Sequence, residues 1–339
     1  MSPGSTDREL RTVAIAPNWV GDTVMALPVL EALAASGREL TVLARPHLHS
    51  LLEVVPSVTD LLAHGDEPRQ TVERLRASGC REGVLLPNSF KSAWLLRRAG
   101  IPRRWGYRGD LRSPLLKPAV GRPGRPRRHQ VEDYAKLLAA MEVPPPVDWT
   151  PRLALAADRL AAGRERLGRA RIDAARPLVG LFPGAEFGPS KRWPWRRFAE
   201  LARALRKSDP SRQATILAGP GELWMAVRVH EESGKLHPVI GPDLDLAGLA
   251  AVLAHLDLLV TNDSGPMHLA AALGVPCVAL FGPTDPRRTS PAGDGHQVLY
   301  SDRWCSPCFR RRCPLLHHGC MKDHQVDRVL ELCDARLTR

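Results

Sequence analysis

Short apolar runs alternate with longer amphipathic runs along the first half of the chain. The apolar runs have the length expected of buried strands, and they fall at Thr12–Ala16, Leu40–Ala44 and Gly83–Leu86. Helical periodicity between and after them predicts helices over Thr23–Ala35, Leu48–Val54, Thr71–Ala77 and Ser89–Arg98. This repeated strand–helix order predicts an α/β domain with a mostly parallel, doubly wound sheet.

The same alternation begins again in the second half. Strands are predicted at Pro177–Phe182, Ala214–Ala218, Pro238–Ile240, Leu256–Thr261 and Pro276–Phe281, with helices beginning near Trp195, Glu222, Leu246 and Ser264. The chain is therefore expected to form two doubly wound halves that face each other across a cleft. In such sheets, ligands bind outside the carboxyl ends of the strands.

Proline and glycine interrupt the pattern in two places. Ser113–Arg128 is rich in Pro, Gly and Arg and predicts an exposed loop, which a helix over Val131–Met141 follows. Val143–Pro151 contains four prolines and is the better linker, ahead of a charged helix over Asp158–Arg171. We predict an N-terminal domain over 1–142, a linker over 143–156 and a C-terminal domain over 157–339.

Length and hydropathy limit the class of protein. A chain of 339 residues that is 44% hydrophobic is long enough for two globular cores. No run approaches the roughly 18 apolar residues of a membrane span, and the polar start has no secretory signature. We therefore expect a cytoplasmic protein.

Basic residues exceed acidic ones by 12, 48 against 36, which favours an anionic partner. Between Lys91 and Arg128 there is one acid, Asp110, among twelve basic residues, so this basic stretch is the predicted anion-facing surface. A general bias toward arginine is the alternative explanation. A nucleotide- or nucleic-acid-binding regulatory protein is a distant alternative, because no helix-turn-helix or finger pattern is evident.

The turn after the predicted strand Leu256–Thr261 has the composition of a phosphate site. Small and capping residues, Asn262 to Gly265, lead into an alanine-rich helix whose free amides could bind phosphate, and His268 falls in its first turn. Simple helix capping by Asp263 or Ser264 explains the same residues. A carboxylate beside a diphosphate is repulsive, so we expect Asp263 to face away from it.

A second turn of this kind follows the strand Pro177–Phe182. Lys191 and Arg192 lie beside a glycine-containing turn, where a cation could stabilise the charge on a departing diphosphate. Glu222 follows another strand, at a position suited to accept hydrogen bonds from ribose hydroxyls. The alternative for Lys191 and Arg192 is a solvated basic pair before a helix. The alternative for Glu222 is an acid at a helix N-terminus, where the helix dipole favours it.

In the first half, Asp22 follows the strand Thr12–Ala16 after the sequence Pro-Asn-Trp-Val-Gly. A carboxylate at such an edge could act as the general base that deprotonates a sugar hydroxyl. Simple capping of the helix over Thr23–Ala35 is the alternative.

Five separated motifs, in order, resemble those of glycosyltransferase family nine, and most closely its lipopolysaccharide heptosyltransferase II group. The matching segments cover nearly the whole chain and are Asn18–Asp22, Leu86–Ser92, Gly100–Pro102 with Gly106–Gly109, Phe182–Pro194 and Thr261–His268. The resemblance implies a GT-B fold of two Rossmann-like domains and inverting transfer of heptose from ADP-heptose to the lipopolysaccharide inner core. A family-nine transferase with a different donor or acceptor in surface polysaccharide assembly is the nearest alternative.

The resemblance also implies roles for residues of this chain. Asp22 would be the base and Lys191 the diphosphate cation, and no metal would be required for catalysis. The donor would be bound by Gly184, Ala185, Glu186, Lys191, Glu222, Asp263, Ser264, Gly265 and His268.

The implied acceptor is a phosphorylated heptosyl-Kdo-lipid A held by the N-terminal half. The candidate contacts are Asn18, Asn88, Lys91 and Arg108, and the encounter would be peripheral, at the inner leaflet of the inner membrane. The positive charge of the basic stretch suits such a phosphorylated acceptor.

Four cysteines cluster late in the chain, at Cys305, Cys308, Cys313 and Cys320, with His317 and His318 between the last two. The first pair has the spacing of metal ligands, which predicts a structural zinc ion or an iron–sulfur cluster, although the later spacings match no standard finger. Reduced free thiols and a redox role are the alternatives.

Overall fold

Two parallel six-stranded sheets organise the computed structural model, which describes residues 10–122, 124, 129–173 and 175–337. Within the described residues, the first sheet has the strand order β3-β2-β1-β4-β5-β6. Its strands are β1 (Thr12–Ile15), β2 (Leu40–Ala44), β3 (Asp60–Ala63), β4 (Glu82–Leu85), β5 (Arg103–Tyr107) and β6 (Ala119–Val120). Its helices are α1 (Val20–Met25), α2 (Leu27–Ala35), α3 (His49–Leu52), α4 (Pro68–Ala77), α5 (Phe90–Arg98) and α6 (Ala135–Ala140).

The second sheet repeats this topology, in the order β12-β11-β10-β7-β8-β9. Its strands are β7 (Leu178–Phe182), β8 (Gln213–Leu217), β9 (Val239–Ile240), β10 (Leu258–Asn262), β11 (Cys277–Phe281) and β12 (Gln297–Tyr300). The helices are α7 (Ala157–Arg169), α8 (Trp195–Ser208), α9 (Leu223–Glu232), α10 (Leu246–Leu253), α11 (Gly265–Ala272), α12 (Pro286–Thr289), α13 (Gly319–Lys322) and α14 (Val326–Leu337).

Both sheets reverse their strand order once, and this determines where a ligand can bind. The reversal lies between β1 and β4 in the first sheet and between β7 and β10 in the second. Connections leave these neighbouring strands on opposite faces, so a crevice opens at their carboxyl ends. The segments that follow β1, β4, β7 and β10 are therefore the places where chemistry is expected.

The chain divides into an N-terminal unit, Met1–Pro151, and a C-terminal unit, Arg152–Arg339. The division falls inside the segment 143–156 that the sequence predicts as a linker. The N–H of Leu153 donates to the carbonyl of Ala272 at 2.8 Å, so the chain is attached to the C-terminal unit soon after the division.

The core cluster of the C-terminal unit lies between its sheet and helices α8, α9, α13 and α14. Strands β7, β10 and β11 are buried at every position. Trp193 and Phe198 are fully buried and meet edge to face, with ring centroids 4.9 Å apart, and Val329 and Cys333 of α14 complete the cluster. This packing fixes the point where the β7–α8 loop enters α8.

The first predicted helix is wrong in extent. Instead of one helix over Thr23–Ala35, α1 begins at Val20 and a new helix begins after Ala26. Pro28 lies in the first turn of that second helix, where a missing N–H costs least and the pyrrolidine ring ends the preceding helix.

Four strands were not predicted from the sequence: β3, β5, β6 and β12. They are edge or near-edge strands, and β5 begins with Arg103 and Arg104, which obscures the apolar pattern. The predicted exposed loop over Ser113–Arg128 is also partly wrong, because it contains β6 and a 3-10 turn at 113–115. Arg125, Arg127 and Arg128 of the basic stretch lie outside the described residues.

None of the helices in the part of the chain that the structure describes is long and apolar enough to cross a bilayer.

Candidate active site

One buried amide holds both ends of the β7–α8 loop, residues 183–194. Nδ2 of Asn262, at the end of β10, donates to the carbonyls of Pro183 and Gly184 at 2.8 and 3.1 Å. Its Oδ1 accepts from the N–H of Trp193 at 2.9 Å. Because all three bonds come from one side chain with no solvent exposure, Asn262 fixes the span of the loop that carries Lys191.

Lys191 lies beside a carboxylate at the end of β10. Its Nζ is 2.5 Å from Oδ2 of Asp263, and the hydroxyl of Thr284, after β11, donates to the same oxygen at 2.6 Å. The ammonium also lies 4.8 Å from the ring centroid of Phe187. Asp263 is therefore the counter-ion of Lys191, and an anion bound at Lys191 would share the ammonium with it.

Glu222 lies against the start of the same loop. Its Oε1 accepts from the N–H of Ala185 at 2.6 Å and lies 3.4 Å from a guanidinium nitrogen of Arg192. Burial raises the pKa of Glu222, although Arg192 and the Ala185 amide oppose this. A Cβ at Gly184 would lie 1.9 Å from Oε2 of Glu222, so only glycine allows the carboxylate this close to the turn.

Helix α11 begins directly after Ser264, as the sequence predicts to within one residue. The Ser264 side chain does not cap the helix; its hydroxyl lies 3.1 Å from that of Thr261. Ser264 thus occupies the N-cap position without capping the helix through its side chain, while Oδ2 of Asp263 contacts Lys191 and Thr284 instead. The first-turn N–H groups of α11 are consequently not bonded to the Ser264 side chain, and His268 is buried in the same helix.

In the N-terminal unit, Asp22 lies inside the first turn of α1, whose N-cap is Trp19. The capping role considered for Asp22 is wrong, since the helix begins two residues earlier. Oδ1 of Asp22 accepts from Nε2 of Gln130 at 2.8 Å, although the two residues are far apart in sequence. Tyr134 is buried nearby, and burial first and then the charge of Asp22 raise its pKa.

The four predicted acceptor contacts lie at or beyond the carboxyl ends of the strands. Asn18 follows β1 and is exposed, and its carbonyl lies 3.2 Å from Nε2 of His47. Asn88 follows β4, and its Oδ1 accepts from Arg112 at 2.8 Å. Lys91 is exposed on α5, while Arg108 donates to the carbonyl of Ala119 at 3.1 Å.

Two arginines of the basic stretch do not face solvent. Arg112 is fully buried and donates to the carbonyl of Tyr107 and to Asp110, both at 2.7 Å, and Arg104 donates to the carbonyls of Ile101 and Leu115. The prediction that the whole stretch faces an anion is therefore wrong at these positions, which hold loops together. The exposed basic residues that remain are Lys91, Arg97, Arg98, Arg103, Arg108, Lys117 and Arg122.

The four late cysteines line one small cavity, of about 20 Å³, together with His317. Sγ of Cys305 lies 4.0 Å from Nε2 of His317. Burial, with Cys308 and Cys305 nearby, raises the pKa of Cys320. The donor chemistry fits zinc or an iron–sulfur cluster, but no three His, Cys, Asp or Glu side chains among the described residues form a group able to hold an ion.

The C-terminal unit thus collects Lys191, Glu222 and Asp263 around the crevice between β7 and β10. Gly184, Ala185, Ser264 and Gly265 line the two turns there, while Glu186 lies in the same loop. The sequence placed Asn262 in the predicted phosphate-binding turn without a role of its own, and it did not point to Thr284 or Gln130 as site residues. The first two also follow or end buried strands, so the rule that pointed to Asp263 would have found them.

Comparison with known proteins identifies the family of the chain. Residues 69–318 match the family model for glycosyltransferase family 9 (heptosyltransferase). Lipopolysaccharide heptosyltransferase 2 of Escherichia coli K12 is 32% identical over 97% of this chain and 99% of its own.

Solved structures give the same result. The structure of E. coli ADP-heptose lps heptosyltransferase II superposes with a TM-score of 0.81 at 30% identity, covering 97% of this chain and 98% of that one. A family 9 glycosyl transferase from Veillonella parvula superposes with a TM-score of 0.85 at 22% identity, covering 99% of both chains. At this identity, the match supports the fold alone. The predicted α/β class, with two Rossmann-like domains of the GT-B type, is confirmed, and the chain belongs to glycosyltransferase family 9.

Proposed function

We propose that this enzyme is an inverting heptosyltransferase that moves heptose from ADP-heptose to heptosyl-Kdo-lipid A of the lipopolysaccharide inner core. The observation that carries the proposal is the cluster of Lys191, Asp263 and Glu222 at the crevice of the C-terminal sheet. The relatives named for this transfer align with the chain over nearly its full length.

The donor half of the proposed reaction uses the C-terminal unit. Lys191 and the start of α11, with Ser264, Gly265 and His268, stabilise the negative charge on departing ADP. Asp263 keeps the Lys191 ammonium in place before the donor arrives, through the 2.5 Å ion pair. Glu222 is buried but lies beside Gly184 and Ala185, where it accepts a hydrogen bond from a ribose hydroxyl.

The acceptor half uses the N-terminal unit. Asp22 takes the proton of the acceptor hydroxyl as its oxygen forms a bond to the anomeric carbon, while the bond from that carbon to the diphosphate oxygen breaks. Asn18, Asn88, Lys91 and Arg108 hold the phosphorylated acceptor. The proposal places the enzyme in the cytoplasm, at the inner leaflet of the inner membrane.

No cofactor is needed for this displacement. For the cysteine segment, we propose a structural zinc ion or iron–sulfur cluster outside the reaction. The types of donor support this proposal, although the described side chains are not gathered into a coordinating group. Metal analysis of protein purified in air and of protein purified without oxygen tests this site. Stoichiometric zinc or iron supports it, and the absence of both metals from both preparations would contradict it.

Donor identity is tested by thermal unfolding with ADP-heptose and with UDP-sugars. ADP-heptose is expected to raise the Tm of the wild type, and Lys191→Ala is expected to lose most of that increase. Arg206→Ala, an exposed basic residue on α8, is the matched control and should keep it. Protection by a UDP-sugar and none by ADP-heptose would favour a family-nine transferase with another donor.

A further inference from the structure

Four large apolar side chains are exposed on the segment 303–316, which precedes α13. Trp304 is 85% exposed, Leu316 83%, Phe309 57% and Leu315 47%. They lie within 13 residues of one another in sequence, and contiguous exposed apolar patches mark surfaces that another molecule covers. The segment is the cysteine-rich one, and none of these four exposed side chains belongs to the core cluster of the unit.

The same segment is strongly basic. Arg310, Arg311 and Arg312 are exposed and consecutive, and no acidic residue occurs between Arg303 and Lys322. We define the basic-apolar patch as the exposed side chains of Trp304, Phe309, Arg310, Arg312, Leu315 and Leu316. Its charge is complementary to an anionic surface.

We propose that the basic-apolar patch binds the C-terminal unit to an anionic lipid surface. Trp and Leu side chains enter the boundary between headgroups and acyl chains, where an indole can keep its N–H in the polar layer. Arginine stems cover apolar surface while their guanidinium groups reach lipid phosphates. The patch differs from the basic stretch of the N-terminal unit, which carries two of the proposed acceptor contacts, Lys91 and Arg108.

The patch is attached to the loop that carries Lys191. The hydroxyl of Ser190 donates to the carbonyl of Arg310 at 2.5 Å, and its N–H donates to the carbonyl of Arg311 at 3.3 Å. A Cβ at Gly188 would lie 2.5 Å from the same Arg311 oxygen, so the two segments are in close backbone contact. When the patch binds lipid, this contact brings the loop that carries Lys191 next to the membrane. The inference that the membrane also holds the lipid-linked acceptor rests on the proposed function.

The test is co-sedimentation of the full chain with vesicles of phosphatidylcholine alone, or of phosphatidylcholine mixed with phosphatidylglycerol, without donor or acceptor. The wild type is expected to bind the anionic vesicles selectively. Trp304→Ala/Leu316→Ser and Arg310→Gln/Arg312→Gln are each expected to weaken binding by about tenfold or more. The matched controls, Trp224→Ala and Arg206→Gln/Lys207→Gln, change exposed residues of α9 and α8 and should bind as the wild type does.

Equal binding by wild type and patch variants, or binding without preference for anionic lipid, would overturn the proposal. Light scattering measures the oligomeric state in the same samples. If the wild type is an oligomer that does not bind vesicles, and the Trp304→Ala/Leu316→Ser variant is a monomer, the patch serves self-association and the lipid proposal is overturned. Transfer to a deacylated, water-soluble acceptor is measured in parallel. Patch variants that keep this transfer but lose vesicle binding support the lipid role, whereas a wild type that lacks transfer contradicts the proposed function alone.

Discussion

Gln130 donates a hydrogen bond to the Asp22 carboxylate, and this contact allows an indirect test of the base role. A hydrogen bond to a carboxylate favours its charged form, so Gln130→Leu should make Asp22 easier to protonate. We expect kcat to fall roughly tenfold and the acid limb of the pH–rate profile to move to higher pH. Gln70→Leu, which removes an exposed amide bonded to Glu67, should leave both unchanged.

The measurement is the pH dependence of kcat/KM for both variants, with donor affinity determined separately. A Gln130→Leu enzyme with a lower rate but an unshifted profile would show that Gln130 only supports local structure.

Glu222 should make the stability of the chain depend on pH. Burial raises its pKa in the folded state, so the folded chain binds this proton more tightly than the unfolded chain does. The stability from this group is present below the unfolded pKa and is lost as pH rises through the folded one. The unfolding free energy of the wild type, relative to Glu222→Gln, is therefore expected to rise as pH falls from neutral to about pH 4.

Thermal unfolding of the two proteins over that range is the check. If the difference in unfolding free energy between the wild type and Glu222→Gln is the same at every pH, the Glu222 carboxyl has the same pKa in the folded and unfolded chains, which contradicts the prediction.

At the level of single residues, the sequence pointed to side chains but not to their partners. Asp22 and Lys191 were predicted as site residues because each follows a buried strand at the edge where ligands bind. Gln130 and Thr284 come from distant parts of the chain, and the pairing of Lys191 with Asp263 needs two loops to meet. Such contacts depend on strand order, which local pattern does not specify.

At the level of elements, the β7–α8 loop depends on Asn262. Asn262→Ala would leave the Trp193 N–H and two loop carbonyls without their partner in a buried place. We expect a loss of about 3 kcal/mol in unfolding free energy and weaker donor binding. Gln213→Ala, which removes a more exposed amide bonded to the carbonyl of Asp173, should cost less than about 1 kcal/mol.

Denaturant unfolding and calorimetric donor titration measure these two effects. An Asn262→Ala protein with wild-type stability and donor affinity would refute the role of Asn262 in fixing the loop.

The elements themselves were predictable where burial is complete on both faces. Strands β1, β2, β7 and β11 read as continuous apolar runs, because parallel strands covered by helices exclude polar residues. Edge strands such as β12 are partly exposed and carry mixed residues, so they lack that signal. The break between α1 and α2 was present in the sequence as Pro28, which was read as part of a single helix.

At the level of the whole molecule, a net charge of +12 should attract a phosphorylated acceptor. We expect kcat/KM for the acceptor to fall several-fold as ionic strength rises through the physiological range, since salt screens exposed charges. Lys91→Gln/Arg108→Gln should lower the low-salt value and flatten the dependence, whereas Arg206→Gln/Lys207→Gln should do neither. A salt dependence equal in both double variants would place the attraction outside the predicted acceptor contacts.

The central claim is most directly tested by single-turnover transfer of heptose from ADP-heptose to a deacylated heptosyl-Kdo acceptor, with wild type and Asp22→Asn compared at saturating donor. Under the proposed mechanism, the wild type forms product with inverted anomeric configuration. Asp22→Asn should bind ADP-heptose normally but transfer it at least about a hundredfold more slowly. Near-normal transfer by Asp22→Asn, or product with retained configuration, would contradict it.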